Sequence, residues 1–266
     1  MDASRIHRVL KQHIRTDQLL GVRMLPAGKV YVGDDVPSQL IEQTNRHDEG
    51  ALMSDSGSLP GVNGLSPSVK PLDRDRKQQI LSRIDCDEVR LCLKCELCHG
   101  RTKTVFGEGD PDAPVMFIGE GPGQSEDQQG RPFVGRAGEL LTRQIEAMGF
   151  NREQVYIGNV VKCRPPNNRT PTPLEVDTCW DYLRRQIQTI SPKVIVTLGG
   201  PATKMILQTK EGITRLRGSW YQYDGVFPAI PVMPTFHPAY LLRSYTVDNR
   251  KKVWADLQAV MKKITE

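Results

Sequence analysis

The chain has 266 residues, 38% hydrophobic and 25% charged, and 36 Lys+Arg against 31 Asp+Glu leave a formal net charge of +5. That length suits one large domain with an extension, or two small domains, and the composition excludes disorder along the whole chain. No apolar run approaches the ~20 residues that span a membrane. The start Met1-Asp2-Ala3-Ser4-Arg5 lacks a signal-peptide core, so a soluble, cytoplasmic protein is expected. So small a charge excess is compatible with a polyanionic partner without requiring one.

In chain order, Ile6, Val9, Leu10 and Ile14, continued by Leu19 and Leu20, predict an amphipathic helix over about 5–20. Eleven of the nineteen residues from Ser54 to Leu72 are Ser, Gly or Pro. Such a stretch buries too little surface to offset its ordering entropy, so a flexible linker is expected there. The boundaries are then an N-terminal extension over 1–53, a linker over 54–72 and one main domain over 73–266. A short helix over about 73–84, with Ile80, Leu81 and Ile84 on one face, opens that domain.

Beyond residue 100 the pattern alternates. Short apolar runs at Val115–Ile118, Val155–Val161, Val194–Leu198 and Ile230–Thr235 predict strands. Helices are predicted over about 137–148, from Pro173 to about Ile190 and over about 247–264, the second with Thr172 as its cap and Glu175 three residues on. Four short strands buried on both faces and separated by helices predict an α/β fold, a three-layer α/β/α domain around a central four-stranded parallel sheet. Ligands in such folds collect beyond the carboxyl ends of the strands.

The cysteines are too few and too unevenly placed for a disulfide scaffold. Cys92, Cys95 and Cys98 stand three residues apart, Cys86 lies just upstream, and Cys163 and Cys179 are distant. In a reducing compartment this clustering points to metal or redox chemistry. Spacing leaves a zinc site and an iron–sulfur cluster equally open.

Three loops after strands carry unusual residues. Gly119-Glu120-Gly121-Pro122-Gly123 follows the first strand, but Gln124 stands where a GxGxxG motif needs glycine, so a nucleotide-binding turn is excluded. Phe133, in Gly130-Arg131-Pro132-Phe133-Val134-Gly135, is either a plug over the sheet or a platform for a planar ligand. Asn159 interrupts an apolar strand, which is costly unless its amide is paired, and an amide suits the edge of a nucleobase. His237 ends the last strand, ahead of Pro238-Ala239-Tyr240-Leu241-Leu242-Arg243.

Taken in order, these motifs, together with Asn159-Val160-Val161-Lys162-Cys163-Arg164-Pro165-Pro166, resemble those of family 4 uracil-DNA glycosylases, the iron–sulfur branch of that superfamily. The resemblance runs from about Cys92 to the C-terminus. It implies a [4Fe–4S] cluster on Cys92, Cys95, Cys163 and Cys179, with Cys86 and Cys98 spare, although Cys92-x2-Cys95-x2-Cys98 is itself good cluster spacing. Lys162 and Arg164, close to the cluster, are then placed for phosphate contact.

The resemblance further implies that the main domain is catalytic: uracil is flipped out of single- or double-stranded DNA and its N-glycosidic bond is hydrolysed by a monomeric enzyme. Phe133 would stack on the base, Asn159 would pair with its edge, and backbone groups near Gly121 and Gly123 would meet a carbonyl oxygen. His237 would stabilise charge on the departing base. Glu120 or Glu126 would position water, or Glu126 would instead crowd the C5 position. Tyr240, Leu241 and Arg243 would fill the gap left in the DNA, although Leu241 also reads as core. A non-catalytic DNA-binding or damage-sensing protein, or a redox carrier using the cysteines, are the rival readings. A redox carrier has no need of Phe133, Asn159 and His237 together.

Overall fold

A computed structural model describes residues 72–266. The helix expected over 5–20 and all but the last residue of the expected linker lie outside them. The first element, α1 (Arg74–Arg83), starts where the Asp73 carboxylate accepts from the Arg76 N–H at 2.8 Å. It runs directly into a π-helical turn, Ile84–Val89, so that Leu81, Ile84 and Val89 are all buried. A single short turn, α2 (Leu97–Gly100), follows the first cysteines.

The sheet contains β1 (Glu108–Gly109), β2 (Val115–Gly119), β3 (Tyr156–Asn159), β4 (Val194–Leu198), β5 (Tyr221–Tyr223) and β6 (Ile230–Thr235), ordered β1-β3-β2-β4-β6-β5. The four predicted strands form its parallel centre, with Phe117 opposite Ile157 on one side and Val196 on the other. The expected four-stranded sheet is in fact six-stranded and mixed, because β1 and β5 pair antiparallel at its two edges. Strands of two and three residues are too short to show an alternating pattern.

Helices α3 (Gln124–Gln129) and α4 (Arg136–Ala147) join β2 to β3, and α5 (Pro173–Ile190) joins β3 to β4. Helices α6 (Gly200–Leu207) and α7 (Ile213–Leu216) precede β5, and α8 (Pro238–Arg243) and α9 (Val247–Thr265) close the chain. The predicted cap of α5 is present: Thr172 Oγ1 accepts from Glu175 N, and Glu175 Oε2 accepts from Thr172 N at 2.7 Å. Successive β2 side chains feed two cores. Met116 and Ile118 pack with Leu183 and Ile187 of α5 and Ile206 of α6. Val115 and Phe117 pack with Leu141 of α4 and with Leu257 and Val260 of α9. Helices therefore cover both faces of the sheet, the three-layer arrangement expected. No helix among the described residues is long and apolar enough to cross a membrane.

Candidate functional site

The carboxyl ends of β2, β3, β4 and β6 point the same way, and the loops leaving them line one cleft of about 580 Å³. Asn159 and Phe133 both line it and converge on the end of β2, making a slot with an amide edge and a ring wall. A Cβ on Gly119 would stand 2.4 Å from Asn159 Oδ1 and 2.5 Å from Phe133 Cζ, so the two can close on that strand end only because residue 119 has no side chain. Asn159 is only 1% exposed and its Oδ1 has no hydrogen-bond partner. An unpaired buried acceptor costs about 1–3 kcal/mol, which a ligand donor would recover.

Phe133 forms the other wall, 6% exposed, with its ring centroid 5.6 Å from that of His237. Its φ of 50° is left-handed, a conformation that costs about 1–3 kcal/mol for such a residue and persists only where neighbours enforce it. One enforcer is Glu126. Its Oε1 accepts from the N–H groups of Val134 (2.8 Å) and Gly135 (2.9 Å), and its Oε2 from Gly123 (3.1 Å). Another is Gly138, where a Cβ would sit 1.9 Å from the Phe133 carbonyl oxygen.

Two expectations are corrected here. Both Glu126 oxygens are engaged by backbone, so this carboxylate fastens the loop and is not free to activate water. The Gly123 N–H, expected to face the base, is spent on Glu126. Gly121 does line the cleft, packed so closely that a Cβ would lie 2.8 Å from Val161 Cγ2. Glu120 differs from Glu126: it lines the cleft, its Oε1 is buried without a partner, and burial raises its pKa against a hydrogen bond from Thr170.

His237 caps α8, its Nδ1 accepting from the Ala239 N–H at 3.0 Å. In the neutral imidazole the proton is therefore on Nε2. Burial, helped by the charge of Arg243 and opposed by Glu126, lowers the His237 pKa to about 4. The ring is thus a neutral donor at ordinary pH. Gly199, at φ 87°, lets the end of β4 lie against it, with a Cβ there only 3.0 Å from His237 Cβ.

Helix α8 turns Tyr240 and Arg243 to the cleft. Leu241, expected at the DNA, is 1% exposed and belongs to the core with Leu257, since the opposite side of this short helix packs on α4. Arg164 does not line the cleft; its Nε donates to Asn168 Oδ1 at 2.8 Å. Lys162 is no phosphate ligand either: it is 1% exposed and donates to Asn159 O (2.8 Å) and Gln186 Oε1 (2.6 Å).

Asn168 and Arg169 line the cleft without having been singled out. The signal was the turn itself, since Asn167 and Asn168 adopt φ of 54° and 55°, which Asn tolerates better than most residues. Arg169 is fixed by a two-pronged pair with Glu175 (2.8 and 2.6 Å), which takes that carboxyl down to about 2.

The cysteines surround a separate cavity, lined by Cys92, Cys95, Cys163 and Cys179 and also by Cys98, while Cys86 is exposed and outside it. Donors already face the sulfurs: Arg101 Nη1 to Cys163 Sγ and the Lys162 N–H to Cys179 Sγ, both at 3.3 Å. Burial raises the pKa values of the Cys95, Cys163 and Cys179 thiols, that of Cys179 to about 12, and a bound cation would offset that cost of ionising them. Among the described residues no three His, Cys, Asp or Glu side chains are grouped so as to hold a single ion.

A mixed α/β sheet with a parallel centre and a cleft beyond its strand ends defines a class, and comparison with known proteins agrees. The family model of the uracil DNA glycosylase superfamily matches residues 106–258, and the chain belongs to that superfamily. It is 48% identical over 179 residues to a Type-4 uracil-DNA glycosylase of Thermotoga maritima, covering 67% of this chain and 92% of that one. It is 42% identical over 177 residues to the Type-4 enzyme of Archaeoglobus fulgidus, covering 65% and 88%. A Type-5 uracil-DNA glycosylase of Pyrobaculum aerophilum is more distant, 29% identical over 148 residues and covering 49% and 63%.

Proposed function

We propose that this protein is a uracil-DNA glycosylase: it takes uracil out of the DNA stack and hydrolyses the bond between the base and deoxyribose. The observation that carries the reading is the slot, in which the unpartnered Asn159 Oδ1 and the Phe133 ring converge on Gly119 with His237 beside the ring. Uracil presents an N3–H donor next to the O4 acceptor, which the Asn159 amide meets with Oδ1 and Nδ2. Cytosine presents the reverse and would leave the amide mispaired.

As the C1′–N1 bond breaks, its electrons pass to the base and gather on N1 and O2. His237, neutral and carrying its proton on Nε2, donates a hydrogen bond to that charge without having to give up the proton. Water adds its oxygen to C1′ and releases a proton. Glu120, whose Oε1 is left without a partner, is the group to hold that water and take up its proton, and Asn168 also lines the cleft. Tyr240 and Arg243 at the rim would meet the vacated DNA.

Cys92, Cys95, Cys163 and Cys179 are the residues we assign to a [4Fe–4S] cluster. In support, these four thiols line one cavity, and donors face two of the sulfurs. When bound, such a group would cross-link the segment before β1 to the loop after β3 and to α5, a structural role.

The test is release of free uracil from single- and double-stranded oligonucleotides by cluster-containing protein. Repeated turnover on either substrate is expected. Tight binding of uracil-DNA with no base released would instead indicate a damage sensor built on the same fold.

A further inference from the structure

The left-handed Phe133 is held on its C-terminal side by Glu126 and Gly138, but it also needs a hold on its N-terminal side. There the Pro132 carbonyl accepts from Arg152 Nη2. Arg152 comes from the 3-10 turn Arg152–Gln154 ahead of β3, and its side chain is largely buried. It lies outside every motif that pointed to the cleft. Its other nitrogens are also placed: Nε donates to Glu108 Oε1 at 2.8 Å and Nη1 to Thr142 Oγ1 at 3.3 Å. Glu108 receives Arg131 as well, at 2.8 Å, and the two guanidinium groups hold its pKa below the usual carboxylate range.

We infer that Arg152, fixed by Glu108 of the edge strand β1, is a positioning residue that keeps Phe133 in its left-handed backbone and so sets the width of the base slot. Three observations converge. The strain is at Phe133, and a residue held there relaxes if either flank is released. The chain on the far side, Val134 and Gly135, is pinned to Glu126 and cannot follow a shift. Among the described residues Arg152 is the side chain that grips the near side, and its fork is locked at three points. The short antiparallel β1 thereby gains a purpose: its pairing with β3, Glu108 opposite Ile157, delivers the carboxylate that orients the fork.

The inference rests on Phe133 being the stacking platform, so the experiment is a double-mutant cycle on the full chain with its metal in place. Phe133→Ala alone should lower single-turnover uracil excision by about 10- to 100-fold. Arg152→Met, which keeps the stem and removes the donors, should lower it about tenfold while binding of uracil-free DNA stays within about twofold. In the Phe133→Ala background the same change should cost less than about twofold, because there is no longer a ring to position. Arg152→Lys should recover part of the loss, since an ammonium reaches one acceptor but cannot serve as a fork.

A general loss of stability would appear equally in both backgrounds and cancels in the cycle. A tenfold loss repeated in the Phe133→Ala background, or no loss from Arg152→Met, overturns the positioning role alone. If Phe133→Ala itself leaves excision intact, the platform reading has failed and this inference falls with it.

Discussion

The cleft and the cysteine cavity lie on the two sides of one short stretch of chain, and they are incomplete in opposite ways. In the cleft the shape is finished and the bonding is not. Glu126, the His237 cap and the Arg169–Glu175 pair fix its walls, while Asn159 Oδ1 and Glu120 Oε1 are left without partners. In the cavity the supporting donors are in place, and burial raises the pKa values of the Cys163 and Cys179 thiols, a cost that a bound cation would offset. The first arrangement suits a ligand that comes and goes; the second suits one that stays. Lys162 bridges the two, with its backbone N–H on Cys179 and its ammonium on the carbonyl of Asn159.

If the cavity is a structural centre, damage to it should have the largest effect. Cys163→Ala is expected to lose the yellow-brown colour, roughly four irons per chain and solubility together, with excision falling as a consequence. Cys86→Ala, outside the cavity, should be nearly silent. Iron analysis and the visible spectrum of anaerobically prepared protein decide it. Stoichiometric zinc, or a Cys163→Ala protein that keeps its iron and its fold, breaks the contrast between the two regions.

Damage to the cleft should be severe for chemistry and mild for folding. Gly119→Ala would place a methyl group in the slot, 2.4 Å from Asn159 Oδ1. Excision should fall by at least about 100-fold, as expected when a reacting group is displaced by about an ångström. Asn159→Asp should be similarly severe, because a carboxylate has no donor for O4 and repels it. Both changes crowd or charge a buried position, so the melting temperature should fall modestly, while the fold is kept and binding to uracil-free DNA stays close to wild type. Near-normal excision by either would put the base elsewhere.

What the sequence revealed, and what it hid, follows the same physical line. The four central strands and the glycines at their ends were legible because a strand buried on both faces reads as a continuous apolar run. The edge strands β1 and β5 were too short for any pattern. Sidedness was the other loss. Six residues of α8 do not establish a periodicity, so Leu241 could not be separated from Tyr240 and Arg243. Lys162 reads as a surface cation beside Arg164, and only the approach of Gln186, 24 residues on, makes its burial possible. A carboxylate that binds three N–H groups, such as Glu126, looks in sequence like one that binds water.

A smaller effect is expected from pH. The folded His237 has a pKa lowered to about 4, whereas an unfolded histidine titrates near ~6.5. Between those values the unfolded chain takes up a proton that the folded one refuses, so stability from this group is lost as pH falls through that window. The single-turnover rate should show no loss from His237 protonation between pH 8 and about 5. An acid limb centred near 6.5 that disappears in His237→Ala would mean the imidazole is not held neutral and the cleft is less finished than its geometry suggests.

The smallest effect should come from removing residues 1–71. Every side chain of the cleft lies between Glu120 and Arg243, and the cavity cysteines lie between Cys92 and Cys179. The cut must not go further. Asp73 caps α1, Lys77 donates to the Ile190 carbonyl at 3.0 Å, and Leu81, Ile84 and Val89 are buried in the core shared with α5. Deleting that segment would remove three buried apolar side chains from that core, each worth ~1.5–3 kcal/mol. A chain beginning at Leu72 should therefore keep its colour, its melting temperature and its excision rate within about twofold, while one beginning at Arg90 should fail to fold. A protein of residues 72–266 that folds with its iron but cannot release uracil would show that the extension completes the cleft, and the division between a self-sufficient site and its surroundings would have to be redrawn.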